Sequence, residues 1–332
     1  MSRYIIGLHG LRNKPPAKLL KQWWDLALRE GLERISHPSR KIPFDLIYWA
    51  DNMYPEPLDP SMTDQDHEYY LSERYQWGVS ATYEDVSGNL SKLRRYLEKQ
   101  LHQIFLNPDL SLNYEEITDK FFRHFFTDLD KYFSIADVDD TTGESTRVKI
   151  QNKVLDMLDE HADDRILLIA HSMGSIIAYD VMTRYPERCS HIDMLITIGS
   201  PLGLPVIQGK LAHGIPAGER TGNQLKTPSF LRGRWINFSD PEDTVAFDQL
   251  LSDDYETNDS GVRPEDISIF NDYIEDGERN PHKSYGYLRS PILAQIIDEF
   301  LSPQTGYFKR LTDQVWFWLT SPLKRLRKRW NS

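Results

Sequence analysis

The chain is 332 residues long and 39% apolar, enough to bury one large core or two modest ones, which excludes a disordered or fibrous polypeptide. Its 39 Lys and Arg set against 50 Asp and Glu give a net charge of −11, which opposes broad contact with a nucleic-acid backbone, so no nucleic-acid partner is expected. A single cysteine, Cys189, excludes a disulfide framework and any cysteine-based zinc cluster within the chain, and fits a reducing, cytoplasmic compartment.

Met1-Ser2-Arg3 runs directly into the apolar stretch 4–8, with no segment of signal-peptide length, so export by the general route is not expected. Residues 3–8 read as a short buried strand ending at His9-Gly10. A helix over 16–35 follows, carried by Leu19, Leu20, Trp23, Leu26, Ala27 and Leu32. A second apolar run, 44–50, is bounded by Pro43 and Asp51-Asn52 and reads as a strand, which makes the beginning β-α-β. From 53 to about 146 the texture turns aromatic and charged, opening with Pro55, Pro57 and Pro60, and marks an insertion. Two amphipathic helices are expected within it, one through Leu90, Leu93, Leu97, Leu101, Ile104 and Phe105, the other through Phe121, Phe122, Phe125, Phe126, Leu129 and Phe133. Helices over 148–161 and 175–185, strands over 166–170, 194–198 and 235–238, and a late helix over 292–301 complete the pattern. Apolar runs alternating with helices predict an α/β fold with a mostly parallel sheet flanked by helices.

The most informative segment is Ala170-His171-Ser172-Met173-Gly174, between a continuous apolar strand and an apolar helix. In a nucleophile elbow the serine occupies a strained strand-to-helix turn, and small residues two before and two after let the two elements approach closely; here those are Ala170 and Gly174. Ser172 could instead serve only as the cap of the helix that follows. With Gly7-Leu8-His9-Gly10 at the end of the first strand and Ile198-Gly199-Ser200-Pro201 after a later one, the chain resembles serine hydrolases of the α/β-hydrolase fold, particularly the lipase and esterase branch and the GPI-inositol-deacylase-like proteins. The resemblance covers roughly residues 3–50 and 147–300, and leaves out the insertion and the C-terminal segment.

A serine hydroxyl needs a base to take its proton and a carboxylate to orient that base; in this fold the chain order is Ser, acid, His. Of ten histidines only His282 lies beyond residue 213, so the order selects it as the base. The acid should follow the strand at 235–238, where Asp240, Glu242 and Asp243 crowd together. Asp243-Thr244-Val245 resembles the Asp-x-Val segment that carries the acid in the superfamily and makes Asp243 the preferred residue, while Asp240, before Pro241, stays an alternative or a turn starter. Oxyanion donors are expected from the backbone N–H groups of Met173, after the nucleophile, and Leu11, in the loop after the first strand. His9 is expected to brace that loop through its ring, and His9 and His171 to be structural neighbours rather than bases. No metal-ligand spacing and no phosphate-binding loop is present, and no cofactor is implied.

The insertion between two strands could cover the site as a lid binding an acyl chain, could form a satellite core, or could do both. The late apolar run 315–319 is far shorter than the about 20 residues needed to cross a bilayer. Lys309, Arg310, Lys324, Arg325, Arg327, Lys328 and Arg329 against Asp313 alone give the end of the chain a charge of +6, opposite in sign to the rest. There Phe308, Leu311, Val315, Leu319, Pro322, Leu326 and Trp330 share one side of a helical projection, which reads as an element for an anionic lipid surface, or as a helix docked on an acidic protein surface. The expectation is therefore an α/β-hydrolase domain over 1–304 with a helical insertion at about 53–146, and a basic amphipathic appendage over 305–332. Its reaction would be hydrolysis of a lipid or other apolar acyl ester through an acyl-enzyme on Ser172, His282 and Asp243, in the cytoplasm or peripheral to the inner membrane surface. An acyltransferase or thioesterase would use the same three residues, and a membrane-recruited scaffold would use none.

Overall fold

The computed structural model describes residues 1–72, 74–81, 105–106, 112–113, 120–134, 138–139, 141–215, 219–221, 224–246 and 248–302. The first expected insertion helix, over 90–104, and the basic appendage lie outside these; Phe105–Leu106 pairs with Leu112–Asn113 in a small antiparallel ribbon, not in a helix.

Six strands form the central sheet: β1 (Arg3–Leu8), β2 (Phe44–Ile47), β3 (Arg165–His171), β4 (Ile192–Ile198), β5 (Arg234–Ser239) and β6 (Pro264–Ser268). Their order is β6-β5-β4-β3-β1-β2, and every neighbouring pair is parallel. The helices are α1 (Ala17–Arg34), α2 (Lys120–Phe133), α3 (Thr146–Glu160), α4 (Met173–Arg184), α5 (Pro205–Gly214), the short α6 (Leu251–Asp254), α7 (Ser284–Leu288) and α8 (Pro291–Leu301). This is the mostly parallel sheet flanked by helices that the alternation of runs and helices implied, and it agrees with the α/β-hydrolase fold that the resemblance implied. Among the described residues no helix is long and apolar enough to cross a membrane.

A β-strand presents alternate residues to opposite faces, and both faces here are covered. Ile6 and Leu8 of β1 with Ile166, Leu168 and Ala170 of β3 pack into one apolar cluster with α2, α3 and α4. Ile5, Leu167 and Ile169 point the other way, into a second cluster with α1, α7 and α8. The insertion helix α2 is therefore part of the main core: Phe125, Phe126, Leu129 and Tyr132 are all at most 1% exposed and join the cluster of β1 and β3.

The strand order reverses between β1 and β3, since β1 is followed by β2 on one side and by β3 to β6 on the other. Such a switch point opens a crevice beyond the carboxyl ends of the two strands. The register sets Leu8 beside Ala170, so His9-Gly10 and His171-Ser172 leave the sheet together.

Buried charge holds α2 to this frame. Asp180 of α4, fully buried, accepts hydrogen bonds from Arg147 and Gln151 of α3, Arg184 of its own helix and Tyr132 of α2. The two guanidiniums outweigh the cost of burial and hold the Asp180 carboxyl below the usual carboxylate range. Removing one member of a buried ion cluster leaves the others uncompensated, at a cost of about 3–5 kcal/mol. Asp180→Ala is expected to lower unfolding free energy by about that much, read as a shift of the urea midpoint at unchanged m-value.

Candidate active site

Ser172 sits at the junction of β3 and α4 with φ 52° and ψ −126°, a left-handed backbone that a residue with a Cβ rarely adopts. The turn is enforced by contacts on both sides. A Cβ on Gly174 would lie 2.5 Å from the Leu8 carbonyl oxygen and 2.6 Å from that of His9, so only glycine lets α4 start this close to the end of β1. Ser172 makes no side-chain cap for α4. Its Oγ instead lies 3.0 Å from His282 Nε2.

His282 Nδ1 lies 2.9 Å from both carboxylate oxygens of Asp243. With Nδ1 donating to the carboxylate, Nε2 is left as the acceptor facing the Ser172 hydroxyl. The structure thus brings together the three residues that chain order and local motif selected. Asp240 goes elsewhere: Oδ1 accepts the Glu242 N–H at 2.8 Å, while Oδ2 accepts the Asn271 N–H at 2.6 Å and pairs with Arg279. Gly199, at φ +54°, passes beneath the Asp243–His282 pair, where a Cβ would lie 2.8 Å from Asp243 Oδ2 and 3.1 Å from His282 Nδ1. That accounts for the Ile198-Gly199-Ser200-Pro201 motif as clearance for the pair.

Met173, the second expected oxyanion residue, is the first residue of α4, where helical N–H groups have no intrahelical acceptor. Leu11 follows Gly10 in the loop beyond β1 and lines the cavity at Ser172. Gly10 makes that approach possible, because a Cβ there would meet Ser172 Cβ at 2.9 Å and His171 Nδ1 at 2.7 Å.

His9 and His171 take supporting places. His9 Nε2 accepts the Trp49 N–H at 3.0 Å, which puts the proton on Nδ1, donating to the Gly10 carbonyl at 2.7 Å. The ring stacks on Trp49, whose indole N–H returns to the His9 carbonyl at 2.8 Å. His171 Nε2 donates to the His282 carbonyl at 2.8 Å and so ties the elbow to the loop carrying His282. Burial is the first cause that pushes both imidazoles well below their ordinary range and keeps them uncharged.

Sequence reasoning did not find Tyr287. Fully buried in α7, its hydroxyl accepts the Asp240 N–H at 2.9 Å and donates to Asp243 Oδ2 at 2.8 Å. Nothing in Tyr285-Gly286-Tyr287 marks one tyrosine as polar-bonded and the other as packing; only an aromatic held a few residues beyond the histidine hinted at it.

The cavity at Ser172 has a volume of about 540 Å³. Its apolar lining comes from Leu20 and Trp24 of α1, Leu58, Leu71 and Tyr285, and its polar lining from Asn13, Lys14, Glu242, Arg279, Asn280 and Lys283. Of the expected lid, the described residues that reach the wall are Leu58, Leu71 and Ser72, and none from α2 does. Among the described residues no group of three or more His, Cys, Asp or Glu is placed to hold a metal ion.

Residues 84–214 match the family described as PGAP1-like alpha/beta domain. The match contains Ser172, takes in most of the insertion, which the resemblance had left aside, and ends before Asp243 and His282. No curated protein matches the chain. The match supports the resemblance to GPI-inositol-deacylase-like α/β hydrolases.

His9 also carries a pH dependence. In the unfolded chain its imidazole takes a proton below about pH 6.5, whereas in the fold burial denies it one. The unfolded state then binds more protons, so stability must fall as pH drops below about 6.5. Between pH 7.5 and 5.5 this group should remove about 1.4 kcal/mol of unfolding free energy. Urea titrations at the two pH values measure the loss, and His9→Gln should reduce it.

Proposed function

We propose that the protein, whose residues 84–214 match a PGAP1-like alpha/beta domain, hydrolyses carboxylic esters of apolar acyl chains through an acyl-enzyme on Ser172. The observation that carries this reading is the chain of contacts from Asp243 through His282 to Ser172 Oγ, held on a strained turn at a cavity lined by both apolar and polar side chains.

In the first half-reaction His282 Nε2 takes the hydroxyl proton as Ser172 Oγ bonds to the ester carbonyl carbon. The carbonyl oxygen gains the charge and is met by the N–H groups of Leu11 and Met173, which are fixed before the reaction and need no reorganisation. His282 returns the proton to the departing alkoxide, leaving the acyl group on Ser172. Water, deprotonated by the same ring, reverses the sequence and releases the acid. Asp243 keeps His282 in the tautomer that leaves Nε2 free to accept and stabilises the imidazolium formed in each half. The apolar lining residues suit an acyl chain, and the polar ones a hydroxyl-rich or charged alcohol portion.

Ser172→Ala is expected to lose fluorophosphonate labelling and turnover of p-nitrophenyl esters with little change in Tm; retained turnover would exclude Ser172 as the nucleophile. Asp243→Asn should lower kcat by about 10⁴, the loss that follows when an imidazole is held in the wrong tautomer, and Asp240→Asn far less. Tyr287→Phe removes one donor to the acid while Val245 and Ala246 still donate to Oδ1, so a smaller fall in kcat at unchanged KM is expected.

The basic appendage supports peripheral attachment to an anionic lipid surface, each Lys or Arg near such a surface contributing about 1 kcal/mol. Full-length protein should sediment with phosphatidylserine vesicles at low salt and be released by added salt. A chain ending before Gly306 should stay in solution yet hydrolyse a short soluble ester as before; vesicle binding by that truncation would place the contact elsewhere.

A further inference from the structure

The insertion helix α2 adds no residue to the cavity wall, yet one of its carboxylates reaches the loop beyond β1. Asp128, 6% exposed, accepts the Arg12 N–H at Oδ2 over 3.0 Å and the Tyr54 hydroxyl at 2.7 and 2.8 Å. Arg12 stands at φ +72°, a left-handed conformation with no glycine to accommodate it, directly after Leu11. A strained residue persists only where its surroundings determine it, and the charged acceptor at its own N–H is such a determinant. Tyr54 is kept protonated as a donor, its phenol pushed far up by burial first and the neighbouring carboxylate second. One turn along, Lys131 donates to the Met53 carbonyl at 3.1 Å, so α2 grips both the exit of β1 and the segment after β2.

We propose that Asp128 is a positioning residue for the reaction: by holding Arg12 in the left-handed turn it fixes where the Leu11 N–H points, so that the insertion sets the geometry of the oxyanion hole. The proposal rests on the reading of Ser172 and Leu11 given above. An oxyanion donor acts on the transition state and hardly on the bound ester, and a displacement of about 1 Å in a catalytic group can cost 10²-fold in rate. Loosening the turn should therefore appear in kcat and in affinity for a tetrahedral inhibitor, and leave KM alone.

The test compares full-length wild type with Asp128→Asn, Tyr54→Phe and Asp130→Asn, using a soluble p-nitrophenyl ester, a trifluoromethyl ketone inhibitor and a fluorophosphonate probe. Asp128→Asn should lower kcat about 10- to 100-fold and weaken the ketone by a similar factor, with KM within about twofold and the pH profile unmoved. Tyr54→Phe, which leaves the carboxylate in place, should move the same quantities less and guards against a misfolded Asp128 variant. Asp130 lies two residues along α2 and pairs with Lys210 at 2.9 Å, away from the loop, so Asp130→Asn should match wild type. Wild-type kcat and ketone affinity in Asp128→Asn would overturn the proposal, as would an equal loss in Asp130→Asn, which would mean that the docking of α2 in general matters. Should wild type neither react with the probe nor hydrolyse any ester, the reading of Ser172 falls and takes the proposal with it; labelling of wild type with an unaffected Asp128→Asn removes the positioning role alone.

Discussion

Where α4 begins, its backbone presses against the end of β1, and a single methyl at Gly174 would drive into two carbonyl oxygens there. Everything at the site follows from that closeness. Because the helix cannot draw back, the residue before it has to turn sharply, and Ser172 takes the left-handed backbone that lifts its hydroxyl out of the sheet. Because β1 and β3 are parallel neighbours at the point where the sheet reverses its order, the same closeness brings Gly10 to within contact of Ser172 and His171. Ser172, the loop at Gly10 and the start of α4 are thus fixed by one steric condition, met by the absence of two side chains.

Buried polar contacts then decide what the strands cannot. His9 locks the loop after β1 onto Trp49, and His171 locks the elbow onto the loop that carries His282. Both do so as neutral rings, the state that burial favours, so neither competes for the serine proton. Asp180 and Asp128 perform a related task for the insertion, drawing α2 onto α3, α4 and the loop beyond β1 through charge and hydrogen bonds as well as apolar packing. A segment inserted between two strands is thereby fixed to the core and to the loop beyond β1 without lining the cavity at Ser172.

Much of this was legible in the sequence because it depends on local pattern. Continuous apolar runs marked the buried strands β1, β3, β4 and β5, and a small residue on either side of Ser172 marked the elbow, since both signals arise from neighbours in the chain. The edge strand β6 was missed: Pro264-Glu265-Asp266-Ile267-Ser268 buries only its first residue and Ile267, so it lacks the apolar run that a central strand requires. The starts of α3 and α4 lie two residues earlier than the apolar spacing indicated, because the first turn of each is set by Ser145 as a cap and by the elbow, not by a hydrophobic stripe. Tyr287 and Asp128 stayed out of sight for another reason. Their importance lies in a partner 44 or 116 residues away, and no spacing along the chain encodes such a contact.

The two carboxylates after β5 illustrate how the fold assigns roles that composition leaves open. Asp240 and Asp243 are both nearly fully buried and linked through one tyrosine hydroxyl. The structure separates them by partner. Asp240 is given a cation, Arg279, with the N–H groups of Asn271 and Glu242, so its charge is met where it stands. Asp243 is given only neutral donors besides the histidine: the N–H groups of Val245 and Ala246 and the Tyr287 hydroxyl. Those donors orient and solvate the carboxylate without cancelling it. Its carboxylate is left to face His282 Nδ1, the contact on which the proposed role of Asp243 depends; exchanging the two sets of partners would leave the same residues in the same loop with that carboxylate turned to a cation instead of the ring.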